Sequence, residues 1–452
     1  MEATPVQRAS SKHSKGSAPW RRYLRCSGAR ERLLHTVWSF INQLKRPRFS
    51  TDMPQRKSSR SVVSPKNRAP VLARLRQSKM TRSTHAYVRG STVKFYEWLS
   101  EVQPHTFPEG PVIWICGDCH VGNLGPIGDA SGATRIQIRD LDQTVLGNPA
   151  HDLIRLGVSL ATAARGSDLP GIVTARMVEA LMAGYLHGID PDAALHLPPR
   201  PASVRTAMKA ATARTWKQLA QERLDGTSPS IPLGRHFWPL SREERRELKQ
   251  LVSQHEVLAL VARLYEMPGE ASVSIVDAAY WVKGCSSLGQ RRYAALLAVD
   301  QDRGPRYRLI DIKEAGKAAA PSASAGEMPR INGERVVTGA RRLSPDLGDR
   351  MAWGRMLGSS FFMRELQPQD LKLSVDKLEH KDATVLAAYL GNIAGLAHGS
   401  QMPRDVAMAW HRELKARHGR SINAPFWLWS SIVDLLGLHE RQYLEHCRAW
   451  AN

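Results

Sequence analysis

The chain has 452 residues, of which 42% are hydrophobic, enough to bury a large core as one large or two smaller domains. Its five cysteines (Cys26, Cys116, Cys119, Cys285, Cys447) are scattered and odd in number, which excludes a disulfide-stapled scaffold, and no apolar run approaches the length of a membrane span. The formal charge of +22 is uneven: residues 1–82 carry 20 Lys and Arg against 3 Asp and Glu, a net of +17 that leaves only +5 for the rest. A cytoplasmic protein with a mildly basic body and a strongly basic tail is the expectation.

Residues 1–70 are rich in Ser, Lys, Arg and Pro, and cannot offset their own ordering entropy by burial, so a largely disordered tail is expected. One island interrupts it. Across 31–44, Leu33, Leu34, Val37, Trp38, Phe40, Ile41 and Leu44 recur at helical spacing with basic flanks. Such a helix suits an anionic membrane surface, a nucleic acid or the protein's own body, and makes a polyanion a candidate partner. Met53 is a candidate alternative start. From Val71 the composition turns globular, and the segment 79–90, which includes Lys79, Met80, Ser83 and Arg89, leads into an amphipathic stretch at 91–99.

The densest polar cluster follows. An apolar run at 112–116 reads as a buried strand that stops at Gly117, which places Asp118, His120 and Asn123 on a loop at its end. After a turn at 128–132, a second strand at 135–139 alternates Ile136 and Ile138 with polar neighbours and delivers Asp140 and Asp142. Phosphoryl transfer from a magnesium nucleotide needs this chemistry: one carboxylate to accept a hydroxyl proton, and an Asn-Asp pair of hard oxygen ligands for Mg²⁺. Taken singly, Asp and Asn are ordinary turn formers. Residues 116–120 also fit the C-x-x-C-H of haem attachment and a redox C-x-x-C, but the first Cys falls inside the strand and no export segment is present. Cys116 reads as a small buried apolar residue.

This stretch resembles the aminoglycoside and choline phosphotransferase branch of the protein-kinase-like fold, which carries a Gly-Asp-x-His-x-x-Asn loop, a strand ending in a metal-binding Asp and a Gly-x-Pro-x-x-Asp segment entering a helix. Here these are 117–123, Asp140 and 147–152. The resemblance implies Asp118 as catalytic base, His120 orienting the loop, Asn123 and Asp140 as metal ligands with Asp142 second to them, and Asp152 as a buried brace. A closer resemblance is to the bacterial family catalogued as domain of unknown function 2252, in which Lys-Met-x-x-Ser (79–83), Tyr-Val-Arg-Gly (87–90), the Gly-Asp-x-His loop and Asp-Leu-Asp (140–142) occur in this order. That name carries no activity. Arg89 is placed to meet a phosphate or, the more ordinary role, to brace its neighbouring loop through a carboxylate.

Helical periodicity continues through 156–161, 172–186, 202–224 and 242–264, with Pro-rich joints between. Strands are expected at 273–276, 278–282, 293–299 and 307–312, with the glycine-bearing loop 284–289 between the second and third, a hairpin tip at 300–305 and Lys313 closing the last. Strand, glycine loop, strand and strand-borne Lys is the layout of a kinase small lobe, in which backbone amides cover the nucleotide phosphates and the Lys pairs with them. Gly284, Ser287, Gly289 and Lys313 are therefore the candidate ATP-binding residues, together with Ser286, which stands where the middle glycine of G-x-G-x-x-G is expected. The Ala/Ser/Pro run at 318–326 reads as a mobile linker and 334–343 as the small lobe's helix, with Glu327 or Glu334 as partners for Lys313. A strand at 360–366 is placed to be an adenine-gripping hinge or an ordinary core strand. The remainder, 384–397, 406–417 and 428–449, is helical, with His398 as a helix-end cap.

The expected fold is α+β, a two-lobed protein-kinase-like architecture in circularly permuted order: tail 1–70, catalytic helical lobe 71–265, small lobe 266–375 and C-terminal helices 376–452. The expected function is phosphoryl transfer from Mg-ATP to a small hydroxylated acceptor. Nucleotidyl transfer on the same residues, and a non-catalytic kinase-like protein tethered by its tail to nucleic acid or membrane, are the alternatives.

Overall fold

The computed structural model describes residues 62–103, 105–129, 131–193, 198–215, 230–265, 273–285, 287–299, 306–322, 328–373, 378–416 and 423–450. The helix expected at 31–44, Ser286, the hairpin tip 300–305 and Glu327 lie outside the described residues. Arg60–Asn452 forms one compact unit.

The first helix, α1 (Arg68–Met80), starts inside the stretch that composition assigned to the tail. Its first residue explains this. The buried Arg68 guanidinium donates to both carboxylate oxygens of Glu244, at 2.6 and 3.1 Å, and lies 4.1 Å over the Tyr280 ring. Composition registers the charge of such an arginine but not the partner that lets it be buried. Next come α2 (Thr84–Gly90), whose N-terminus is capped by Ser83, and α3 (Thr92–Glu101).

Two antiparallel ribbons then shape the loops of interest. β1 (Ile113–Ile115) pairs with β4 (Val145–Gly147), and β2 (Leu124–Gly128) pairs with β3 (Thr134–Ile138). β2 and β4 escape a reading based on alternation because β4 spans only three residues and both are buried throughout. α4 (Pro149–Gly166) begins with Asn148 as cap and Pro149 in its first turn, and is buried along most of its length. It is followed by α5 (Gly171–Ile189) and α6 (Ala202–Ala213).

The rest of the strands build one six-stranded antiparallel sheet: β5 (Phe237–Trp238), β6 (Val273–Trp281), β7 (Arg292–Val299), β8 (Arg306–Glu314), β9 (Met351–Met356) and β10 (Ser359–Glu365), in the order β5-β6-β7-β8-β10-β9. The two strands expected at 273–282 are one strand with a bulge between Ile275 and Asp277. The single helix expected at 242–264 is two, α7 (Arg242–Val252) and α8 (His255–Tyr265). The break has a use: Gln254 donates to Arg355 O at 2.7 Å and accepts from Arg355 N at 3.0 Å, so it satisfies the open edge of β9. α7 and α8 contribute Leu248, Leu251, Val257 and Leu260 to an apolar layer shared with Tyr293, Ile310, Ile312 and Met363 of the sheet.

α9 (Asn332–Leu343) and the short α10 (Pro345–Gly348) connect the sheet to the ribbons, with α9 against β1, β9 and β10. Two expectations change here. β10 is paired on one side by β8 and on the other by β9, so its backbone is taken up by the sheet and has no edge with which to grip a base. The first part of the expected linker is packed rather than mobile: Ala320 is buried and Ala319 N donates to Gln143 Oε1 at 2.9 Å. The chain closes with α11 (His380–Gly399), α12 (Arg404–Ala416) and α13 (Phe426–Trp450), of which α11 lies along α5 and α13 along α4. The fold is α+β, and no helix among the described residues is long and apolar enough to cross a membrane.

Candidate active site

The loop after β1 turns at Gly117, whose φ of +73° and 2.2 Å approach of a notional Cβ to Gln143 O leave room for glycine alone. Beneath the turn, Asp152 of α4 accepts from the amides of Cys116 and Gly117 at 2.7 and 3.0 Å. Its other partner is His398, whose Nε2 stands 3.1 Å from Asp152 Oδ2 and whose Nδ1 is 3.0 Å from the Tyr185 hydroxyl. His398 thus belongs to a buried brace under the loop, where the sequence reading had a helix cap.

Asp118 is 6% exposed, and Arg155 Nε donates to its Oδ1 at 2.9 Å. Burial raises the Asp118 pKa, with the Arg155 charge acting against that rise. Arg155 was missed in the sequence, although a signal was present: an arginine on an otherwise apolar helix, three residues after Asp152, needs a buried partner. His120 is buried over Gly122 with its Nε2 3.8 Å from Asp118 Oδ2; among the described residues its Nδ1 has no hydrogen-bond partner, and its carbonyl accepts from Asn123 N within the loop at 2.7 Å.

Asn123 Nδ2 donates to the carbonyls of Asp140 and Asp118 at 2.8 and 3.2 Å, which ties the two loops together and leaves the amide oxygen for a ligand. Across from them Lys313, 2% exposed on β8, places Nζ 2.6 Å from Asp142 Oδ2 and 3.4 Å from Asp140 Oδ1. Burial pushes the Asp140 carboxyl up, but Lys313, Arg292 and Arg364 outweigh it and bring its pKa down to about 2. Glu334 is not the partner of Lys313; α9 instead sends Arg335 to the carbonyls of Asp142 and Gly316, each at 3.0 Å, and to that of Thr144.

Gly284 and Ser287 line the same cleft as Asp118, Asn123, Asp140 and Asp142, a space of about 700 Å³ partly open to solvent. Within the loop the amides of Leu288 and Gln290 are spent on turn bonds to Cys285 O and Ser287 O, whereas those of Cys285 and Ser287 make no such bond to another described residue. Gly289 takes a φ of +110° at the far side of the turn, away from the cleft lining. Arg89, which the sequence suggested as a carboxylate-paired brace, pairs with no carboxylate among the described residues and lines the cleft instead.

Comparison with protein-family profiles matches residues 68–449 to the family described as uncharacterized protein conserved in bacteria, domain of unknown function 2252. The chain belongs to this family. No curated protein and no solved structure matches it. In this member of domain-of-unknown-function family 2252, the residues that suggested the family have physical tasks around the cleft. Lys79 Nζ donates to Gly284 O at 2.7 Å and so anchors the glycine loop, while Met80 packs on Gly90 so closely that a Cβ there would stand 2.9 Å from its Cγ. Ser83 Oγ accepts from Ala86 N at 3.1 Å and starts α2, the helix that carries Arg89 to the cleft.

Among the described residues no group of three His, Cys, Asp or Glu is built to hold a metal ion alone. Asp140, Asp142 and the Asn123 amide make a partial set of hard oxygens. Such a set fits Mg²⁺, which is commonly held by one or two carboxylates with the remaining positions filled by phosphate oxygens and water. The Lys313 ammonium already occupies the shared field of the two carboxylates, as a positive charge they are arranged to receive.

Proposed function

We propose that this protein is a Mg-ATP-dependent phosphotransferase with a permuted, two-lobed, kinase-like architecture. One observation carries the reading: the loop of Asp118 and Asn123, the carboxylates of Asp140 and Asp142, Lys313, and Gly284, Cys285 and Ser287 of the glycine loop meet around one cleft, although the glycine loop follows the catalytic loop in the chain. The six-stranded sheet with α9 serves as the small lobe, and the ribbons with α4, α5, α11 and α13 as the catalytic lobe.

Lys313 and the amides of Cys285 and Ser287 bind the nucleotide phosphates, and Lys79 holds the loop in place for them. Asn123, Asp140 and Asp142 hold Mg²⁺, which supplies charge stabilisation on the phosphates when bound. Asp118 Oδ1 is committed to Arg155, so Oδ2 is the atom that takes the acceptor's proton. The acceptor oxygen bonds to the γ-phosphorus as the bond from phosphorus to the β–γ bridging oxygen breaks, ADP departs, and the hydroxyl proton passes to Asp118. The acceptor is a small hydroxylated molecule, by analogy with the phosphotransferase branch.

A metabolite-library screen for ADP release, with intact-mass analysis to detect self-modification, tests the activity directly. Calorimetric titration then separates the roles. Asp140→Asn should weaken Mg-ATP binding, whereas Asp118→Asn should leave it nearly intact and lower the single-turnover rate by about 10²- to 10⁴-fold. The reverse pattern would exchange the roles. Absence of nucleotide binding by the parent protein would end the enzyme reading in favour of a non-catalytic binding protein.

A further inference from the structure

The cations of the cleft are treated differently on its two sides. On the sheet side each has a carboxylate: Lys313 has Asp140 and Asp142, and Lys283, Arg292 and Arg364 surround Asp311. On the side of the Asp118 loop, Arg89, Arg139 and Lys372 line the cleft with no carboxylate partner among the described residues. Arg139 is 8% exposed, and its buried Nε has no hydrogen-bond partner among the described residues, while Nη2 is used on Asp370 O at 3.2 Å. The buried Nε of Arg89 is also without a partner among the described residues, and its guanidinium carbon would stand 3.1 Å from a Cβ on Gly122, the glycine over which His120 also lies. These cations therefore border the loop that carries Asp118. Lys372 is exposed at the rim of the cleft, where the neighbouring charges of Arg89 and Arg139 help to lower its pKa.

The buried guanidinium nitrogens of Arg89 and Arg139, held this way, oppose folding, and an oxyanion placed between them and the exposed Lys372 would relieve both the repulsion and the unmet hydrogen bonds. We propose that the acceptor is a hydroxy compound that also carries an oxyanion, a phosphate or a carboxylate, which Arg89, Arg139 and Lys372 receive beside Asp118. This deepens, and rests on, the phosphotransferase reading. The nucleotide's own phosphates are provided for by Lys313 and the glycine loop on the sheet side. A second anion site next to the proton acceptor would hold the acceptor by its charged end and turn its hydroxyl toward Asp118 Oδ2, with guanidinium forks suited to two-point contact with phosphate or carboxylate.

The test saturates the full chain with Mg²⁺ and a non-hydrolysable β,γ-imido ATP analogue, then titrates orthophosphate and, separately, acetate by calorimetry. Saturation fills the nucleotide phosphate positions, so a probe that still binds reports another site. Orthophosphate binding well ahead of acetate points to a phosphate ester as acceptor, and comparable or stronger acetate binding to a hydroxy acid. Arg89→Gln and Lys372→Gln should each weaken the bound probe about tenfold or more. They should leave the analogue's affinity within about twofold and the thermal midpoint unchanged or raised, since each removes an unpaired cation. The inference is overturned if neither probe binds the saturated protein, or if the two variants weaken the analogue as much as the probe, which would assign the cations to the nucleotide. If orthophosphate binds but the analogue does not, the anion site stands and the phosphotransferase reading falls; if only the analogue binds, the reverse holds.

Discussion

Asp118 and Arg155 are buried together, and their ion pair joins the chemistry of the cleft to the stability of α4. Removing one partner of such a pair leaves the other charge uncompensated, so Arg155→Met should destabilise the protein by about 3–5 kcal/mol, measured by urea unfolding. It should also act on the pH profile. In the proposed reaction Asp118 must be ionised to take a proton, and burial already raises its pKa, so that activity should be lost as pH falls through that value. Without the opposing charge of Arg155 the acid limb should move to higher pH, a shift that plain loss of stability would not produce. Asp118, Asn123, Asp140 and Lys313 were legible because residue type and spacing along a loop or strand are visible in the chain. Arg139 and Lys372 were not, because what defines them is the lack of a carboxylate neighbour, and Arg155 showed only as an arginine on an apolar helix, with its partner 37 residues away.

The packing of α5 against α11 depends on glycines that let the two backbones touch. A Cβ on Gly391 would lie 2.2 Å from Leu181 O, and one on Gly184 would lie 1.9 Å from Ala388 O. Gly391→Ala should therefore force the helices apart and cost roughly 1–3 kcal/mol or more. Gly437, exposed on α13 with nothing within 4 Å of a Cβ, provides the contrast: Gly437→Ala should stabilise by about 0.5–1 kcal/mol through helix propensity alone. Thermal unfolding of both variants checks the pair. At this scale the long helices and the strands β6, β7, β8 and β10 were readable from periodicity. The break between α7 and α8 was not, because Gln254 leaves the helix to meet a strand about a hundred residues later. Nor was β9, whose Gly354 and Arg355 interrupt the apolar pattern.

For the molecule as a whole, the strongly basic composition of residues 1–61 sets the expectation of an electrostatic arm. Deleting residues 1–61 should leave the thermal midpoint within about 2 °C while weakening binding to heparin and flattening its salt dependence. Deleting residues 1–70 should lower the midpoint by about 5 °C or more, because it also removes Arg68 and leaves Glu244 buried without its counter-ion. An equal loss in both deletions would show that the tail, and not Arg68, supports the fold.

The last helix closes on the first ones: Tyr443 of α13 donates to Thr81 O at 3.0 Å, His446 stands 3.3 Å from Gln77 O, and α13 covers α4, on which Arg155 and Asp152 are carried. On a ribosome, the loop of Asp118 therefore emerges 325 residues before Tyr443, which at about 5–20 residues per second is a wait of roughly 15–65 s. For much of that interval α4 and α5, apolar over most of their surface, lack α11 and α13 to cover them. A nascent chain of this kind is expected to gain from a holding chaperone, and the fraction that reaches the native state should depend more on that shielding than on the stability of the finished protein.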